Sequence, residues 1–302
     1  FRYSSSTGIS GSGSTMRINN CDIHHNAKGI SISSGNNSII DYNIIRDNSP
    51  NGGGSVNATF SHNTIKNNTK TSDGHRNAAG IKINGGIFEH NTIYGNNASN
   101  VSDSYYASGI YISSNASVKN NIVYNNTGAT YAVNSSDTYA GDIQYNIIAD
   151  GRTRFYDLDL QGSIKNNVFA GGVSGYIIFH SNSSEFTKNA ILNGSSEDNL
   201  KFYGENYSIS QDVDFSKNLF SGNNSSSIEH GASGSGQTYV STTLNNIINN
   251  TDFLVKAGNG QNSSVENNWW GTTTESEIQT MIYDWNDASN LGFLDYDPYL
   301  TA

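Results

Sequence analysis

Residues 60–68 read FSHNTIKNN and residues 88–96 read FEHNTIYGN. Each is an apolar residue, two residues, Asn, one residue, an apolar residue, then a polar tail ending in Asn. The pattern recurs in VKNNIVYNN (118–126), FTKNAILNG (186–194) and FSKNLFSGN (215–223). Aligned copies place Cys21, Asn43, Asn63, Asn91, Asn121, Asn146, Asn167, Asn189, Asn218, Asn246 and Asn268 at the fourth position. Two residues later every copy is apolar: Ile23, Ile45, Ile65, Ile93, Val123, Ile148, Phe169, Ile191, Phe220, Ile248 and Trp270. Internal repetition of this kind identifies a solenoid before any propensity is consulted.

Successive copies are 20 to 30 residues apart. That spacing is too long for a hexapeptide helix and too uneven for leucine-rich repeats. It fits one coil of a right-handed parallel β-helix with three short strands per turn. The expected fold is therefore all-β, about eleven coils rising about 4.8 Å each. The aligned Asn residues should form an internal ladder, since an amide both donates and accepts. Asn also suits the left-handed backbone of a sharp corner.

A second strand is expected before each copy: GISIS (29–33), GIKIN (80–84), GIYIS (109–113), YAVN (131–134), DLDLQ (157–161), IIFH (177–180), LKFY (200–203) and FLVK (253–256). Alternation turns Ile30/Ile32, Ile81/Ile83, Ile110/Ile112, Leu158/Leu160 and Leu200/Phe202 inward. After the repeats, residues 269–302 read as a cap on a β-helix spanning 1–268. Ile278, Met281, Ile282 and Trp285 fall at helical spacing, with Thr274 and Glu277 placed as a capping box. Such a helix would cover the open strand edges of the last coil.

Composition narrows function. The chain has 302 residues, 14% charged, with a formal net charge of −10, which argues against nucleic acid or an anionic membrane as partner. No apolar run is long enough to span a bilayer, so membrane insertion is not expected. Cys21 stands alone, leaving no disulfide framework and no thiolate metal site. The sequence opens abruptly at FRYSSSTG without a signal peptide, and reads as a piece of a longer multidomain chain.

The outward side chains of the second strands make a polar strip. It contains Lys82, Tyr111, Asp157, Asp159, His180, Lys201 and Tyr203, with Arg152 and Arg154 just upstream. Long connections at 69–79, 97–108, 194–199 running on into 203–212, and 224–239 could wall a groove beside it, and Tyr105, Tyr106, Tyr203 and Tyr207 could offer ring faces to sugars. A side groove on a long stack suits a polymer. Two carboxylates on one strand suit glycoside hydrolysis, with Asp157 and Asp159 as acid and base or nucleophile and His180 beside them. Lys82, Tyr111, Arg152, Arg154, Lys201 and Tyr203 would then hold the substrate. The same basic residues suit elimination at a uronate, where a cation neutralises the carboxylate and a base takes the C5 proton. A surface spacer or glycan-binding module without activity is the rival, in which the strip is an ordinary wet strand face. No cofactor is required. Calcium is the ion that acidic positions such as Asp157/Asp159, Asp212/Asp214 or Asp295/Asp297 would suit, though no loop has a recognised calcium pattern.

The Asn-rich coils ending in ENNWWGT (266–272), a short helix and a closing YDPYL (296–300) resemble the parallel β-helix proteins of archaeal cell surfaces. In particular they are similar to disaggregatase-related proteins of methanogens, over essentially the whole chain. That resemblance implies an extracellular or cell-surface enzyme that disperses cell aggregates by degrading an acidic matrix glycan of uronate and hexosamine. It supplies no catalytic motif. The short signatures of pectate lyases and pectin hydrolases are not evident.

Overall fold

The computed structural model describes the chain except residues 14, 34–36, 72–75, 100–105, 114–115, 136–140, 161, 180–184, 196–198, 205–212, 225–226, 231–239, 253, 261 and 302. Within strands it leaves out the side chains of 156–160, 176, 178–179, 199, 202–204, 213 and 240–241. The fold is the all-β, right-handed parallel β-helix that the repeat predicts. The chain divides into two compact units, Phe1–Arg154 and Phe155–Ala302.

In the first unit the short strands Asp22–His24, Ile44–Arg46, Thr64–Lys66, Thr92–Tyr94, Ile122–Tyr124 and Ile147–Ala149 stack in parallel register, one per coil. In the second, Val168–Ala170, Ala190–Leu192, Leu219–Ser221 and Asn246–Ile248 do the same. The eleventh copy contributes only an isolated bridge between Asn246 and Trp269, so the coil count is slightly below eleven. The central apolar residue of each copy is buried, and like rings stack along the axis, with Phe60 against Phe88 at 5.2 Å and Phe186 against Phe215 at 5.1 Å.

The amide ladder is present in both units. The Asn63 amide donates to Asn91 Oδ1 at 3.1 Å and to the Ile40 carbonyl at 2.9 Å, while the Asn63 backbone N–H reaches the same Asn91 oxygen at 2.9 Å. The steps Asn43–Asn63–Asn91–Asn121–Asn146 and Asn167–Asn189–Asn218–Asn245–Asn268 repeat this bonding. One assignment is corrected. Asn245, not Asn246, joins the ladder, because LNNII (244–248) offers two registers and the buried one points Ile247 inward. A parallel ladder, Asn26–Asn48–Asn68–Asn96–Asn126, runs five residues downstream in the first unit.

The left-handed corner is also one residue earlier than expected. Tyr42, His62, His90, Asn120 and Tyr145 have positive φ, and each immediately precedes a ladder Asn. The amide bonds to the next coil hold the corner, so residues with full side chains occupy a conformation they normally avoid.

Where their side chains are described the second strands alternate as read, with Ile30, Ile32, Ile81, Ile83, Ile110, Ile112 and Leu200 buried; Leu158, Leu160 and Phe202 lie outside the described side chains. Two more, Gly54–Ser61 and Ser227–His230, lack the expected signature. At the end of the chain the helix is only Glu275–Gln279. The capping box does not form, since Thr274 makes no side-chain cap and the Glu277 carboxylate accepts the Thr272 hydroxyl instead. Ile282 leaves the helix to pair with Val255, and Trp285 is half-exposed against Phe293.

Candidate functional site

Four parallel strands of the first unit bring Ser55, Lys82, Tyr111 and Asn134 into one register row. Their strand neighbours Val56, Ile83 and Ile112 fill the core, so alternation turns the row outward. Coil spacing is set upstream by glycine. A Cβ at Gly53 would lie 2.0 Å from the Gly80 carbonyl oxygen, and one at Gly80 would lie 2.2 Å from that of Gly109. Backbones approach there more closely than any side chain permits.

Cations lie over tyrosine rings along this face. The Lys82 ammonium is 5.7 Å from the Tyr111 centroid and the Lys70 ammonium 5.7 Å from that of Tyr106. On the next coil, Tyr131 has Arg152 Cζ at 5.4 Å and Arg154 Cζ at 5.1 Å from its ring centre. Such contacts hold a guanidinium or ammonium in place by the ring quadrupole. Five cations, Lys70, Arg76, Lys82, Arg152 and Arg154, thus gather in one unit of a chain with only 16 Lys plus Arg. Lys82 is half-buried and has no carboxylate partner among the described residues. Burial, and then the charge of Arg76, hold its pKa below the usual lysine value.

Of the residues expected from sequence, the structure brings Lys82, Tyr111, Arg152 and Arg154 to this face. Tyr111 is not exposed, however. It is 0% exposed, packed with Ala78 and Ala107, and so forms the floor under Lys82 rather than a platform for a sugar. Tyr106 is buried in the same way beneath Lys70. Ala78 and Ala107 form a parallel bridge just upstream of Lys82 and Tyr111, and this bridge brings the two alanines against the ring of Tyr111.

Lys201 belongs to the second unit and is bound to Glu229 Oε2 at 2.7 Å, its register partner on the next coil. That pairing was missed because the strand Ser227–His230 was missed. Asp157 and Asp159 lie on the strand Arg152–Leu160, and Tyr203 lies on Asn199–Gly204. The side chains of all three lie outside the described residues, as do His180, Tyr105 and Tyr207. Sequence reasoning also missed Lys70, Arg76 and Tyr131. Strict alternation from Val133 turns Tyr131 inward, yet it is partly exposed beside an irregular register step between Ala107 and Ile110. Among the described residues no group of three or more His, Cys, Asp or Glu could hold a metal ion, and no helix is long and apolar enough to cross a membrane.

Residues 1–148 match the family model described as right handed beta helix region. No curated protein and no solved structure matches the chain. Right-handed β-helix domains occur in polysaccharide-degrading enzymes and in surface proteins.

Proposed function

We propose that this chain is an extracellular protein that binds and cleaves an acidic polysaccharide laid along the outer face of its first unit. The observation that carries the reading is Lys82. It is a half-buried ammonium without a carboxylate among the described residues, set on a tyrosine floor in a unit that also presents Arg76, Arg152 and Arg154. A uronate polymer would complement this local positive charge.

The described residues favour elimination. Guanidinium groups neutralise the uronate carboxylate and so acidify the C5 proton. Lys82, whose pKa burial and the charge of Arg76 push below the usual lysine value, accepts that proton from its deprotonated fraction. The C4–O bond then breaks, a C4=C5 double bond forms, and the leaving oxygen takes a proton from the lysine ammonium or water. Hydrolysis is the second reading, favoured by Asp157 and Asp159 at alternate positions of one strand.

The test is incubation with hyaluronate, chondroitin and polygalacturonate, following reducing ends and the ultraviolet absorbance of unsaturated uronate together. Elimination raises both, and Lys82→Met abolishes the rise. Reducing ends without absorbance, lost in Asp157→Asn or Asp159→Asn, would establish hydrolysis. Binding without product would leave a glycan-binding module, and no binding at all would end the reading.

A further inference from the structure

Asparagine is the structural currency of this chain, and its use is strict. Each buried ladder Asn in either unit has its amide hydrogen-bonded, as in Asn63, Asn126 and Asn189. Asn134 is the exception among the described residues. It is 0% exposed, and neither Oδ1 nor Nδ2 has a hydrogen-bond partner. A buried amide with both positions empty destabilises a fold, and a leucine of similar size would avoid the cost. The fold therefore gives no reason for Asn at this place.

Position gives one. Asn134 stands in the outward row one coil from Tyr111 and two from Lys82. It shares the strand Tyr131–Ser135 with the tyrosine that carries both guanidinium groups. We infer that Asn134 is a specificity-determining residue of this face, whose amide reads a vicinal pair of sugar hydroxyls on the polymer held by Lys82, Arg152 and Arg154. This deepens the acidic-polysaccharide reading and rests on it.

The chemistry selects the ligand group. The end of an asparagine side chain offers one acceptor and two donor hydrogens side by side. A carboxylate accepts only and would leave Oδ1 empty. An ammonium donates only and would leave Nδ2 empty. A trans acetamido group points its N–H and C=O apart and meets one atom at a time. Neighbouring hydroxyls satisfy both, one donating to Oδ1 and the other accepting from Nδ2. Asn134 is 0% exposed, so the contact requires the polymer to displace whatever packs over the amide, and an analogue without the hydroxyls would leave that amide unpaired.

The test uses Asn134→Leu with polygalacturonate, hyaluronate and chondroitin, each before and after O-acetylation, which blocks hydroxyls and keeps the carboxylates. For the polymer that wild type binds, acetylation should weaken binding about tenfold or more, as expected for a site left with unpaired polar groups. N134L should bind the unmodified polymer about tenfold less tightly than wild type, lose the discrimination, and melt at the same or a higher temperature. Equal affinity of N134L and wild type would overturn the inference and leave a plain buried amide. A lower melting temperature would overturn it too, by showing a structural role. Loss of affinity in N134L without any effect of acetylation would refute the diol. If wild type binds none of the polymers, the parent reading fails, an outcome distinguishable because it appears before any variant is compared.

Discussion

Lys82 and Tyr111 are register partners on adjacent coils, with the ammonium 5.7 Å from the ring centroid and the ring wholly buried. The charge is thus held against an apolar floor with Arg76 as its electrostatic neighbour. The folded chain binds this proton less tightly than the unfolded chain does. Stability should then rise as pH climbs through the lowered pKa, and stop rising near the unfolded value of 10.5. Urea unfolding at a series of pH values from neutral upward checks this. The gain should be present in wild type and missing from Lys82→Met; identical profiles would mean that the proton is bound equally in both states.

The ladder makes a sharper contrast. Asn91 Oδ1 accepts both the backbone N–H and the side-chain amide of Asn63, so Asn91→Leu strands two buried donors. Each costs about 1–3 kcal/mol, so the variant should lose about 2–6 kcal/mol in chemical denaturation. Asn246→Ala, one residue off the ladder and exposed, should change stability by less than about 0.5 kcal/mol. A comparable loss at both positions would place the register of LNNII in the wrong frame.

Arg152 and Arg154 share the Tyr131 ring, whereas Lys201 is engaged by Glu229. Replacing both arginines by Ala should weaken binding of a uronate polymer and flatten its dependence on salt, because fewer counterions are exchanged. Lys201→Ala should leave affinity and salt dependence near wild type. Titrations at two ionic strengths decide the matter, and a larger effect from Lys201 would move the binding face to the second unit.

Much of the fold was legible because one rule, Asn followed two residues later by an apolar residue, repeats against a polar background. The rule fails where the background imitates it. In LNNII two Asn and two Ile stand side by side, and only the choice of which Ile to bury separates the frames. It also misattributes the corner: Tyr42, His62 and His90 hold the left-handed backbone, and nothing in a tyrosine or histidine announces that. Strands such as Ser227–His230 escaped because they lack the glycine-isoleucine opening, and with them went the partner of Lys201.

The candidate site was legible as a row but not as a surface. Lys82 and Tyr111 are neighbours because strands alternate and coils stack, both visible in sequence. The cover on Tyr111 comes from Ala78 and Ala107, small residues of an isolated bridge outside the repeat pattern, and nothing local in the sequence marks them as packing partners of a tyrosine. The unsatisfied amide of Asn134 is likewise a property of what fails to surround it.

The corner of the first unit has a consequence of its own. Tyr42, His62, His90, Asn120 and Tyr145 hold the same backbone conformation with three different kinds of residue, at successive coils about 4.8 Å apart. Because the neighbouring amides fix the bend, the side chains mounted there are left to stack on one another from coil to coil, as Tyr42 does on His62 and His62 on His90. The corner is in effect a graduated ruler, one mark per coil, on which groups could be exchanged singly to build a metal relay, a row of dyes or a graded charge. The spacing would then be set by hydrogen bonds that no substituent touches.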